Sequence, residues 1–519
     1  MPIRGLPFAL LLMALPLVAL ADTAPVKPAK PLSAIDWLSQ SLVTPAAMPA
    51  TPTEPPVSPK GVTPDSVTVQ TLGADTTDSL GVLPATVTGL PQALWGLTKV
   101  SDIQALLSQD EGQDLPALQG LLLTLLLAEA DPPAGTPPGE SLFLARVDKL
   151  MAMGALDQAR ALLDTAGADR SPEIFRRYFD VSLLIGDEDR ACAALKATPG
   201  LAPALPTRIF CLARQGDFGT AQLTLDTAKA LGTVSPEESA LLARFMDPEL
   251  DDTGITPIMP NPVTPLIFRI YQAIGEPLPD TTLPIAFTYA DLSDTAGWKA
   301  QLDAVERLSR AGSVAPNLLL GLYTQQKPAA SGGVWDRVAA FQAVDHAIAA
   351  RDAKAVERSL PPVWAMMKDA ELEVPFATLY GTALAKLTLT GDAGSVAQQV
   401  ILLSPDYEKL TQGLQSTDPQ SAFLLATARG TFTGVTPPDD LTRAIMAAFT
   451  APDIPADLQA MIDQGRIGET LLTTLARLRQ GEAGDLRAVT EGLSVLHKLG
   501  LEDVARRTAL QMILLDRRG

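Results

Sequence analysis

From Ser101 to the C-terminus the apolar residues of this chain recur at intervals of three and four, and no stretch alternates apolar and polar positions with a period of two. A period near 3.6 predicts helix after helix. The punctuation agrees. "SDIQALL" at Ser101, "SPEIFRRYF" at Ser171, "SPEESALLARF" at Ser235 and "TPLIFRIYQAIG" at Thr264 each set a hydroxyl before the apolar pattern, and the last three add a proline at the first helical position. A hydroxyl can accept from the free N–H groups of a helix start, where proline's missing N–H costs nothing. The most apolar interior stretch, "LPALQGLLLTLLLAEA", is interrupted by Pro116, Gln119, Gly120, Thr124 and Glu129. A membrane span needs about twenty predominantly apolar residues, so this one reads as a buried helix.

One phrase returns three times: "AMGALDQARALL" from Ala152, "LIGDEDRACAAL" from Leu184 and "RQGDFGTAQLTL" from Arg214. In each copy a glycine (Gly154, Gly186, Gly216) precedes an alanine (Ala159, Ala191, Ala221) by five residues. A leucine (Leu163, Leu195, Leu225) follows four later, and Ala166, Thr198 or Ala228 follows the alanine by seven. These positions form one helical stripe. The glycine ends one helix in a tight turn, and the small alanine lets the next approach its neighbour closely.

At these residues the chain resembles the tetratricopeptide repeat family, whose second helix follows a glycine and carries small, large and small residues at these intervals. The resemblance runs from Glu140 to Leu231, with echoes at Gly500 and Ala505 and at "TLTGDAGSVAQQV". The copies lie 32 and 30 residues apart, short of the family's 34 or so, and the Trp and Tyr of the family's first helix are not clearly present. The resemblance implies an all-α fold, an α-solenoid of antiparallel helix pairs with a curved surface suited to binding other proteins.

The first residues combine an early Arg4, an apolar run from Leu6 to Leu20 and small residues at Ala19 and Ala21. This is the pattern of a secretory signal cut after Ala21, which predicts export to a bacterial periplasm without stable membrane insertion after cleavage. Residues 22–95 follow as a Pro/Thr/Ala-rich disordered tether, because frequent proline removes backbone donors and few apolar residues are left to form a core. One apolar island interrupts it at residues 32–43, where Ile35, Leu38 and Leu42 share a helical face beside Trp37. It reads either as a docking segment for a partner or as a helix that packs back on its own domain. "LGVLPATVTGLPQALWG" then leads to the body along its surface in extended form. The expected organisation continues with helical repeats over 96–250, a Pro-rich connector with a short helix over 251–290, and further helical repeats over 291–519. Trp335, after the Ser331-Gly332-Gly333 loop, reads as a core anchor or as part of a binding loop.

With 40 Lys and Arg against 59 Asp and Glu the chain carries −19, a field that repels phosphate backbones and excludes nucleic acid as an expected partner. Its two cysteines, Cys192 and Cys211, lie on either side of the turn-forming Thr198-Pro199-Gly200. Antiparallel helices would bring them together as a disulfide in an oxidising compartment. Two free buried thiols are the other reading, since spacing alone does not fix helix facing. No catalytic, metal or cofactor constellation emerges. His346 and His497, the chain's only histidines, stand far apart and read as surface or packed residues. "GESLFLARV" resembles the Glu-Ser-x-Phe around the catalytic acid of lytic transglycosylases, with Glu140 in the acid's place, but the downstream Gly-Leu-Met-Gln of that family is absent. The sequence therefore predicts a non-catalytic periplasmic scaffold or adaptor for cell-envelope proteins or peptides. A glycan-acting enzyme using Glu140 and a self-associating structural envelope component are the alternatives.

Overall fold

The computed structural model describes residues 76–109, 115–135, 139–247, 262–416 and 418–515. Among these residues the protein is all-helical, its one β-type contact being an isolated parallel bridge between Leu83 and Ala128. None of the described helices is long and apolar enough to cross a membrane.

The helix starts follow the hydroxyl caps. Ser171 accepts from the Ile174 N–H at 3.1 Å and Thr264 from the Ile267 N–H at 3.3 Å, while Ser235 and Glu238 form a reciprocal capping box. Ser101 differs. Its helix, α1 (Val100–Leu107), begins one residue earlier, and the Ser101 hydroxyl turns to Asp102 instead of the backbone.

After α1 and α2 (Pro116–Leu127) come α3 (Ser141–Ala152), α4 (Leu156–Ala166), α5 (Pro172–Ile185), α6 (Glu188–Ala197), α7 (Leu205–Arg214), α8 (Phe218–Leu231) and α9 (Pro236–Met246). From α2 to α9 each helix packs on the next, and α3 also touches α5 and α7 touches α9. The three repeated glycines make the same turn. Gly154, Gly186 and Gly216 have φ of 72°, 80° and 79°, in the left-handed region that glycine enters without steric cost. The next N–H then closes back on the preceding helix: Ala155 to the Leu150 carbonyl at 2.9 Å, Asp187 to Ser182 at 2.8 Å and Asp217 to Leu212 at 2.9 Å. Ala159, Ala191 and Ala221 are completely buried, and Leu163, Leu195 and Leu225 are buried beside them. The stripe fails at one place. Thr198 is exposed because α6 stops at Ala197 and the chain turns through the 3₁₀ segment Pro199–Leu201.

The chain then returns. α10 (Pro265–Ala273) packs on α5 and α9, and the 3₁₀ segment Ile285–Leu292 packs on α3 and α5 before reaching α11 (Trp298–Arg310). Contacts continue through α12 (Pro316–Gln325), with α13 (Val334–Ala349) and α14 (Ala353–Asp369) alongside, to α15 (Glu373–Leu384) and α16 (Gly391–Leu403). The C-terminal group comprises α17 (Pro419–Arg429), α18 (Asp440–Thr450), α19 (Ala456–Asp463), α20 (Ile467–Glu482), α21 (Leu486–Lys498) and α22 (Glu502–Leu514). α22 packs on α16 and also on α2, while α20 packs on α1 and α2. The succession of neighbours therefore closes on itself at α2, where the Ala117 N–H donates to Gln511 at 2.8 Å.

The stretch from Leu80 to Gly96, expected along the surface, is built into this closure. Leu83, Leu94 and Trp95 are buried, the Gly468 N–H donates to the Leu94 carbonyl at 2.7 Å, and a Cβ on Gly468 would stand 2.5 Å from the Trp95 ring. Arg146, fully buried on α3, fastens the segment before it. Its guanidinium donates to the carbonyls of Leu126, Leu80 and Ala128 at 2.7, 2.8 and 2.9 Å. Burial lowers its pKa to about 10, with the Asp78 carboxylate opposing the shift. Leucines placed among prolines without a helical period conceal this role, because the partners, such as Gly468 against Leu94 and Trp95, lie far along the chain.

Candidate interaction surface

In the middle of the repeats Cys192 on α6 and Cys211 on α7 form a disulfide, with Cα atoms 5.1 Å apart. The bond ties two consecutive helices whose aromatic neighbours continue along the array. Phe179 meets Phe210 edge-on at 6.1 Å, and Phe210 stacks on Phe245 at 5.2 Å.

The charged side chains among these helices are largely satisfied by one another. Arg160 donates to the Tyr178 hydroxyl at 2.7 Å, to Ser182 at 3.0 Å and to Asp187 at 3.0 Å, with its guanidinium 4.1 Å above the Tyr178 ring. Arg177 holds Asp148 through two bonds of 2.7 Å, and buried Glu188 accepts from Arg269 at 3.0 Å. Asp180 on α5 is raised to about 6 by burial, against the opposing pull of Arg176 and Arg177.

The other sequence candidates fall in separate places. Glu140 sits just before α3, where its carboxylate accepts from the Ser171 hydroxyl at 2.8 Å, linking the starts of α3 and α5. His346 is exposed at the end of α13, and the neighbouring Asp345 accepts from Tyr380 at 2.8 Å. His497 ends α21, paired through Nδ1 with Glu502 at 2.5 Å and set edge-on to Phe449. Trp335 is partly buried against Trp298, ring centres 5.1 Å apart, and the Trp298 indole donates to the Leu322 carbonyl at 2.9 Å. Ile35, Trp37, Leu38 and Leu42 lie outside the described residues, as does the cleavage site at Ala21. Among the described residues no three His, Cys, Asp or Glu side chains cluster in a way that could hold a metal ion.

One helix stands apart. α8 buries Ala221, Leu225 and Ala228 but exposes Phe218 by 53% and Leu223 and Leu231 by 68% each. Gly219, Leu223, Thr227 and Ala230 recur on one outward face, with Leu231 adjoining, and all five are exposed. The nearby polar groups answer each other along one edge: Gln222 donates to Asp226 at 3.0 Å, and Lys229 stands 4.0 Å from the same carboxylate. What remains is an uncharged strip of leucine, threonine and small residues. Sequence reasoning placed this helix inside the repeat but did not single out its outer face. The signal was present in the leucines at 223 and 231, which fall outside the Ala-Leu-Ala stripe.

Comparison with family models, curated proteins and solved structures finds no match to this chain.

Proposed function

We propose that this protein is an exported, non-catalytic scaffold of the bacterial periplasm, an α-solenoid of tetratricopeptide-like helix pairs that binds other cell-envelope proteins or their extended segments. The observation that carries the reading is the outer face of α8, an uncharged apolar strip on a helix whose inner stripe is already packed. Contiguous exposed apolar patches rimmed by polar groups are a mark of protein-interaction sites. A disulfide between α6 and α7 suits an oxidising compartment.

The test is crosslinking and affinity capture from the native envelope with the mature protein, Leu223→Glu/Leu231→Glu and Trp37→Ala/Leu38→Ala. A specific protein captured by the parent and lost with the α8 variant supports the reading. Equal recovery with the parent and the α8 variant removes α8 as the site. The competing reading, glycan cleavage with Glu140 as acid, predicts that Glu140→Gln abolishes wall turnover with the fold unchanged. The hydrogen bond from Ser171 favours the structural role for that carboxylate.

A further inference from the structure

The strip on α8 fits a short uncharged amphipathic helix better than it fits a folded surface. A helix of fourteen residues is about 21 Å long, and one face of it falls well short of the roughly 800 Å² per partner of a standard stable interface. A second copy of this chain would also bring another −19 of charge, which at low ionic strength opposes approach. An occupant that brings one apolar stripe, little charge and no need to diffuse from solution meets all three conditions.

The chain contains such a segment outside the described residues. Residues 32–43 hold Leu32, Ile35, Leu38 and Leu42 at spacings that share a helical face, and Asp36 is their only charged residue. At 1.5 Å per residue a helix over them is about 18 Å long, close to the length of α8. Residues 44–75 connect the segment to Thr76, and thirty-two residues reach at most about 105–115 Å when fully extended. Tethering also raises the effective concentration to about the millimolar range, so that a weak contact is populated without a partner.

We infer that residues 32–43 dock in cis on the outer face of α8, Leu32, Ile35, Leu38 and Leu42 covering Leu223, Thr227, Ala230 and Leu231. The contact makes the α8 site self-covered in the resting protein, and a partner must displace the segment to use it. That displacement rests on the scaffold reading. The cis contact itself does not.

The experiment is photocrosslinking on the full mature chain with a benzophenone amino acid in place of Leu231, in an equal mixture of isotopically light and heavy protein. The expected product joins position 231 to residues 32–43 of the same chain, light to light or heavy to heavy, and disappears in Ile35→Glu/Leu38→Glu. Hydrogen exchange supplies the second readout. In the parent the amides of 35–42 should exchange about tenfold slower or more than in Leu223→Glu/Leu231→Glu, as a local opening present about one tenth of the time would give. Mixed light-heavy crosslinks would put a second copy on α8 and overturn the inference. So would coil-like exchange of 35–42 in the parent, or protection that survives both variants. Capture of an envelope partner through α8 without any cis crosslink would defeat this inference and leave the scaffold reading standing. A cis crosslink with no partner captured would do the reverse.

Discussion

α4 and α8 begin from the same phrase, yet one is enclosed and the other bare. Leu156 and Phe218 both stand two residues after the turn glycine, but Leu156 is fully buried and Phe218 is 53% exposed. The difference comes from what arrives later in the chain. On α4 the Tyr289 hydroxyl donates to Asp157, the Gln158 amide donates to the Ser313 carbonyl at 3.3 Å, and Ile285 and Leu308 close over Gly154. Nothing comparable covers α8 among the described residues. The repeated phrase therefore determines the inner stripe of a helix, while the outer face depends on distant chain.

This contrast can be broken most forcefully at Leu156. Leu156→Ala removes a completely buried side chain and should cost about 3 kcal/mol, read as a lowered urea midpoint with an unchanged slope. Close behind is Cys192→Ser/Cys211→Ser, which releases the tie between α6 and α7, midway from the covered helix to the bare one. A closed loop of this size predicts a loss of about 3 kcal/mol in oxidising buffer and no further loss on adding reductant. A smaller effect belongs to Asp180 on α5, a helix packed by α3, α4, α6, α10 and the 3₁₀ segment. Its folded pKa of about 6 lies above the ordinary 3.8, so folding favours the protonated carboxyl. That contribution is full below pH 3.8, declines as pH rises and is gone above about 6. Asp180→Asn should flatten this part of the stability profile and gain about 2 kcal/mol at pH 7.5 relative to the parent, measured by denaturant titration across pH. The smallest change is expected at Phe218. Phe218→Ala should stay within about 0.5 kcal/mol of the parent, although it occupies the same place in its repeat as Leu156. A loss comparable to Leu156→Ala would mean that Phe218 is enclosed as Leu156 is, and would remove the contrast between the two helices.

Helices and their turns were legible because they depend on near neighbours. Gly154, Gly186 and Gly216 announce turns whose hydrogen bonds span five residues, and Ser171, Ser235 and Thr264 cap helices within three. The cysteine pair was legible as one of two readings for the same reason, being separated by a single turn. Ser101 misled because a hydroxyl inside the first turn looks the same in sequence as one just before it. The cover of α4 was not legible, since Tyr289 lies 132 residues from Asp157. Arg146 was hidden in "SLFLARVDKLM", where an arginine on a mostly apolar helix reads as an ordinary interruption; its partners are three carbonyls on two other segments, and carbonyls leave no trace in residue identity. Leu83, Leu94 and Trp95 were hidden in the same way by the absence of any period.

The closure at α2 also has a consequence in time. The Ala117 N–H meets a side chain 394 residues further along, and two of the three long helices packed on α2, α20 and α22, are among the last to be made. At about 5–20 residues per second, synthesis alone separates the halves of that contact by about 20–80 s. For that interval the most leucine-rich of the described helices is without its later partners, so the helix that completes the fold is also one whose apolar surface a chaperone would have to shield during synthesis.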